Sequence, residues 1–257
     1  MQYKSNYLKN VIFRIDFSQQ LPPNKKLIDN FYNLVKVEFP KKEALKGKIL
    51  HTQIVSKKNG NKVTQQEQNV TNYKFSDENQ TKVLTLEPLS NMNLVFNIYK
   101  NSQELNDIIG LIINAVIQVY GDIEIKRTGL RYINDISIPE GNPFDWAPFI
   151  NHSLIASLDF PPENRNLSRS MGVIELIRDD HSVLFQYGMY NPEYPNKIAR
   201  KIFVLDYDCY INDNLNASEI KEKTKMLQSD EECLFESSIN DGLREKMGVV
   251  IDDRTSN

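Results

Sequence analysis

Two arginines, Arg127 and Arg131, stand in the stretch KRTGLRYINDISIP (residues 126–139), which otherwise has the composition of a buried strand. A guanidinium presents a planar fork of N–H donors that grips a carboxylate or a phosphate through two parallel bonds. The pair therefore suits either a fixed ion-pair network or an anion site. In a regular strand both side chains leave the same face, roughly 13 Å apart at about 3.3 Å per residue, too far to clamp one phosphate but suited to two groups of an extended ligand. A partly buried guanidinium needs acceptors in any case, so the ion-pair network is the first expectation and the anion site the second. Tyr132 and Asn134 complete the candidate ligand-binding set.

Asp206 and Asp208, in VLDYDC, are two residues apart and share a strand face. Two converging carboxylates are a start toward a hard-cation site, but no third ligand is evident, and partnership with Arg127 and Arg131 competes with that reading. His51, His152 and His181 are scattered, with no His or Cys neighbour at zinc-ligand spacing. The chain has no GxSxG elbow, P-loop, GxGxxG turn or HExxH helix, which lowers the odds of an enzyme, and no cofactor is implied. Lysines in KKEALKGK and KKNGNK, with Tyr73, Phe75 and His51 nearby, are ingredients of a small nucleic-acid patch. FQYGMYNPEYP could likewise be a tyrosine-rich recognition loop.

Strand and helix periodicities say what must hold these residues. Val11, Phe13, Ile15 and Phe17 alternate with Ile12, Arg14 and Asp16, predicting a half-buried strand, and residues 27–39 predict a helix that Pro40 ends. KILHTQIVS and KVTQQEQNVTNYKF predict a hairpin about Asn59-Gly60, a favoured centre for a type I′ turn. A second strand pair follows, with Pro88 at a strand end. From Gln103 to Tyr120 the residues Leu105, Ile108, Ile109, Ile112, Ile113, Val116 and Ile117 predict a helix buried on a wide face, closed by Gly121. In the motif strand the apolar phase changes between Ile125 and Leu130, which points to a bulge or bend at Gly129. MGVIELIR and VLFQYGMY predict another hairpin, KIFVLDYDCYIND a strand, and residues 217–228 and 231–247 two helices.

The expected class is α+β: mainly antiparallel sheets, a long buried central helix and C-terminal helices. PEGNPFDWAPF is a turn-rich connector, giving an N-terminal half of residues 1–143 and a C-terminal half of residues 144–257. The tetrapeptide YIND closes a strand at 132–135 and again at 210–213, which raises the alternative of two related halves against one continuous sheet. With 31 Lys+Arg against 34 Asp+Glu there is no global field to draw nucleic acid or lipid. Two cysteines and the absence of a signal-like or spanning segment lead to the expectation of a cytoplasmic protein with no membrane association.

RTGLRYIN resembles the R-x-G-L-R-Y-I-N signature of an uncharacterised, sporadically distributed bacterial protein family of about this length, and NVIFRIDF and FESSINDGLREKMG are similar to that family's ends. Arg127, Gly129, Arg131, Tyr132 and Asn134 match the signature position by position. The resemblance implies no activity, cofactor or catalytic residue; patchy distribution implies accessory genes such as those of phage defence or toxin–antitoxin loci. The resulting expectation is a noncatalytic binding or regulatory component that recognises a protein partner or a small anionic ligand. Nucleic-acid binding and a metal-dependent enzyme are the alternatives.

Overall fold

The computed structural model describes residues 3–22, 24–57, 60–160 and 166–248. Its centre is one antiparallel ten-stranded sheet. In chain order the strands are β1 (Leu8–Phe17), β2 (Lys41–Lys57), β3 (Gly60–Ser76), β4 (Lys82–Glu87), β5 (Asn91–Phe96), β6 (Glu124–Ser137), β7 (Ser170–Ile177), β8 (Ser182–Met189), β9 (Ile202–Ile211) and the short β10 (Leu215–Asn216). Their spatial order is β2-β3-β4-β5-β1-β6-β9-β8-β7, with β10 beside β6. The helices are α1 (Lys25–Val35), α2 (Ser102–Tyr120), the short α3 (His152–Ile155), α4 (Ile220–Ser238) and α5 (Asp241–Met247). This is the α+β class with C-terminal helices that the sequence predicts. None of these helices is long and apolar enough to cross a membrane.

Period-two alternation gives the sheet two unlike faces. Phe13 lies opposite Leu94 and Leu130, and Leu130 opposite Cys209, so these buried side chains share one face with their neighbours two residues away. Helices cover that face: α2 contacts α1 and α4, and α4 also contacts β6 and β9. Leu105, Ile108, Ile109, Ile112, Ile113 and Val116 of α2 are buried, each contributing about 2 kcal/mol of transfer free energy. The Asn101 side chain caps α2 by accepting from the Glu104 N–H, and Gly121, at φ +84°, ends it by donating its N–H to the Ile117 carbonyl. The opposite sheet face carries Arg14, Asp16, Arg127, Arg131, Asp206 and Asp208, none of which faces a helix-side core residue of a neighbouring strand.

Several expectations change in detail. The bulge is not at Gly129: the pairing passes from Asp16–Arg127 to Phe17–Ile125, leaving Lys126 as the extra residue, while Gly129 pairs regularly with Arg14 and Tyr210. The expected helix break near residue 230 is absent, and α4 runs unbroken to Ser238. Thr224, Gln228 and Glu231 form a buried polar stripe on α4, and that stripe masks the apolar period. The break comes instead at Ile239 and Asn240, where Ile239 bridges Ile150 and the Asn240 side chain donates to the Ala147 and Ile150 carbonyls. Asn59, with the tight turn expected there, lies outside the described residues.

The sheet continues across residue 143, because β6 and β9 pair over ten positions. In the connector, Trp146 is wholly buried, its ring centroid 5.3 Å from that of Phe203 on β9. The two YIND segments occupy unlike places. Tyr132 is buried on the helix side, whereas Tyr210 lies on the other face over Arg127.

Candidate functional site

On the uncovered face, strands β1, β4, β5, β6 and β9 floor an open cleft of about 630 Å³, lined by Arg14, Asp16, Glu87, Arg127, Arg131 and Asp208 among others. Strand pairing puts the arginines there. Arg14 lies opposite Gly129, and Asp16 opposite Arg127, so their side chains rise from one face. Gly129 makes room between the two motif arginines: a Cβ at that position would stand 3.2 Å from Arg127 Nη1 and 3.4 Å from Tyr210 Cβ. A side chain there would press the Arg127 guanidinium by a few tenths of an ångström from its place over the Tyr210 ring, where its Cζ is 4.8 Å from the centroid.

Each cleft arginine meets a carboxylate. Arg131 donates from Nε and Nη2 to the two oxygens of Asp206 at 2.7 and 2.6 Å, the bidentate geometry. Arg127 Nη2 donates to Asp208 Oδ2 at 3.3 Å, and Arg14 Nε to Asp16 Oδ1 at 2.6 Å. Donating to the Asp206 carboxylate raises the Arg131 pKa still further. Burial pushes Asp208 above the ordinary carboxylate range, and the nearby Asp206 adds to it, against the pull of Arg127 and Arg131. Asp206 and Asp208 thus face guanidinium groups, and no cluster of three or more His, Cys, Asp or Glu suited to a metal occurs among the described residues. In this arrangement both carboxylates are held by arginine.

The four residues expected to bind a ligand together do not converge. Arg127 and Arg131 face the cleft, while Tyr132 and Asn134 point through the sheet to the helix side, because successive strand residues alternate. Asn134 is buried and donates to the Leu205 carbonyl at 3.3 Å. Tyr132 is buried, without a hydrogen-bond partner for its hydroxyl, at the edge of a second cavity between β6, the start of α2 and α4. Glu231, at the floor of that cavity, escaped sequence reasoning because it falls where a helix break is predicted. Arg14 and Asp16 could have been found: their alternation with the buried residues of β1 already assigns them to the outward face.

The uncovered face extends beyond the cleft. Tyr210 donates to Glu175 of β7 at 3.3 Å, linking cleft to sheet edge. Pairing places Val173 in line with Gln186 and Asp206, and Ile177 in line with Ser182 and Tyr210, so Met171, Val173 and Ile177 share the cleft's face. They are 42%, 65% and 88% exposed, and β7 pairs with β8 alone. In KKEALKGK, Lys41 pairs with Glu78, Lys42 with Asp29 and Lys48 with Glu67, and the side chains of KKNGNK lie outside the described residues. His181 sits between Asp180 and Asp230, at 2.7 and 2.9 Å. Comparison with protein families finds no family model that matches the chain, and comparison with curated proteins finds no match.

Proposed function

We propose that the chain is a noncatalytic binding component of a bacterial accessory system, of the defence or toxin–antitoxin kind that the RTGLRYIN resemblance implies. It recognises a protein partner through the uncovered sheet face. The observation that carries this reading is the continuity of that face from the exposed apolar residues of β7 to the arginine cleft. Arginine and tyrosine beside exposed aliphatic side chains are the composition of protein interfaces, and an edge strand adds unpaired backbone groups for strand addition. A protein is favoured over a small anion because the three cleft arginines already have carboxylate partners, which an anion would have to displace.

Affinity capture with the tagged chain from phage-infected and uninfected bacterial cells, followed by mass spectrometry, would supply the partner. Hydrogen exchange of the complex then tests the reading. The expected result is slowed amide exchange in β7, with protection extending over the cleft strands. Protection confined to the helix side or to the β2–β3 hairpin would overturn it. A capture that yields nucleic acid, with affinity falling steeply with salt, would favour the alternative.

A further inference from the structure

The second cavity, about 510 Å³, lies on the other side of the sheet from the proposed partner face and is independent of that reading. Its walls include Tyr3, Tyr99, Tyr132 and Phe235, with Glu231 and Glu232. Glu231 is wholly buried, and neither of its carboxyl oxygens has a hydrogen-bond partner. The Tyr132 hydroxyl, on a side chain more than nine-tenths buried, also has none. Other charges of the cavity are engaged. Glu236 accepts from Arg244 Nε at 3.1 Å and from the Tyr3 hydroxyl at 2.6 Å, and Glu232 accepts from Gln228 at 3.1 Å. Lys100, at the mouth, is paired with Glu104 at 3.5 Å.

We propose that this cavity binds a small organic cation, a primary ammonium group on an apolar or aromatic stem, with Glu231 and the Tyr132 hydroxyl accepting its N–H bonds. A buried polar group left short of partners is costly, and an ammonium brings three donors and a countercharge to a carboxyl that has no cation beside it and only the weak Cys209 donors nearby. Tyr99, Tyr132 and Phe235 present ring faces and edges that suit a cation and its stem. A divalent metal would need six or more oxygen ligands, which one carboxylate and neutral phenols do not supply.

Burial holds Glu231 well above the ordinary carboxylate range, which favours the neutral acid until a cation pairs with it. Asp208 and Asp206 add to this with their negative field from the far face of β9, while the backbone N–H and thiol of Cys209 on β9 pull the other way without reversing it. Tyr132 approaches Glu231 from β6, and Asp230 and Glu232 flank it on α4. An arriving ammonium therefore displaces the Glu231 proton to solvent and pairs with the carboxylate that remains.

Isothermal titration of the full chain tests the site, using phenethylammonium, phenethyl alcohol and tetramethylammonium as probes. Phenethylammonium should bind with release of close to one proton, read from the dependence of the heat on buffer ionisation. Phenethyl alcohol and tetramethylammonium should bind at least about tenfold more weakly, since one lacks the charge and the other the donors. Glu231→Gln, which keeps the shape of the neutral acid, should weaken phenethylammonium by about tenfold or more and abolish the proton release. Tyr132→Phe, which keeps the ring, should weaken it several-fold and serves if Glu231→Gln does not fold. No heat from phenethylammonium, equal affinity for tetramethylammonium, or unchanged affinity in the folded variants would overturn the proposal.

Discussion

Arg131 and Asp206 show what the motif arginines do within the fold. Two parallel hydrogen bonds, with the Asp206 side chain only 12% exposed, fix the guanidinium against β9. Lysine keeps the charge but not the fork, so Arg131→Lys should lower stability by about 1 kcal/mol, a modest loss because Arg131 is partly solvated. Chemical denaturation measures it; unchanged stability would show that the fork contributes nothing to the fold. Glu231 gives a pH-dependent counterpart. Its folded-state pKa is raised by burial, so the folded chain keeps a proton that the unfolded chain loses. Stability therefore declines as pH rises from the ordinary carboxylate value toward the folded-state value, by up to about 1.4 kcal/mol per unit. Glutamine cannot ionise. Glu231→Gln should thus be more stable than the parent at about pH 8 and converge toward it near about pH 4, and a gap independent of pH would contradict the buried neutral acid.

Among the elements, α2 and β6 form the spine. Ile112 is wholly buried at the middle of α2, so Ile112→Asp would place an unpaired carboxylate in the core and should cost more than about 4 kcal/mol. Thermal unfolding checks this, and a near-parental Tm would exclude the packing. The spine was legible because its signals are local: i, i+3, i+4 spacing along α2, a glycine after it, and two-residue alternation in β1 and β9. The pairing of Asp206 and Asp208 with Arg127 and Arg131 was legible as one of several readings, and adjacency of β6 and β9 turned it into a contact. What local signals could not carry was tertiary. The bulge at Lys126 is defined by pairing with β1, and the continuity of α4 depends on burying Thr224, Gln228 and Glu231 against other elements. Tyr132 and Asn134 part from the arginines because a motif read as a string has two faces once it becomes a strand.

For the whole molecule, the proposed function rests on the asymmetry of the sheet. One face is closed by helices, and the other presents charged pairs and aliphatic residues from β7 to β1. Net charge is only −3, so a partner would be selected by the local alternation of arginine, carboxylate and apolar groups, not drawn by a long-range field. Val173 is the decisive position: it is 65% exposed, contributes little to the core, and lies on the proposed contact face. The most direct test is the Kd of the captured partner for the parent chain and for Val173→Asp, with thermal unfolding run in parallel. The account predicts unchanged unfolding and affinity weakened by about tenfold or more, since a carboxylate would be desolvated in an apolar contact. Equal affinity of the two chains would contradict recognition through the uncovered face.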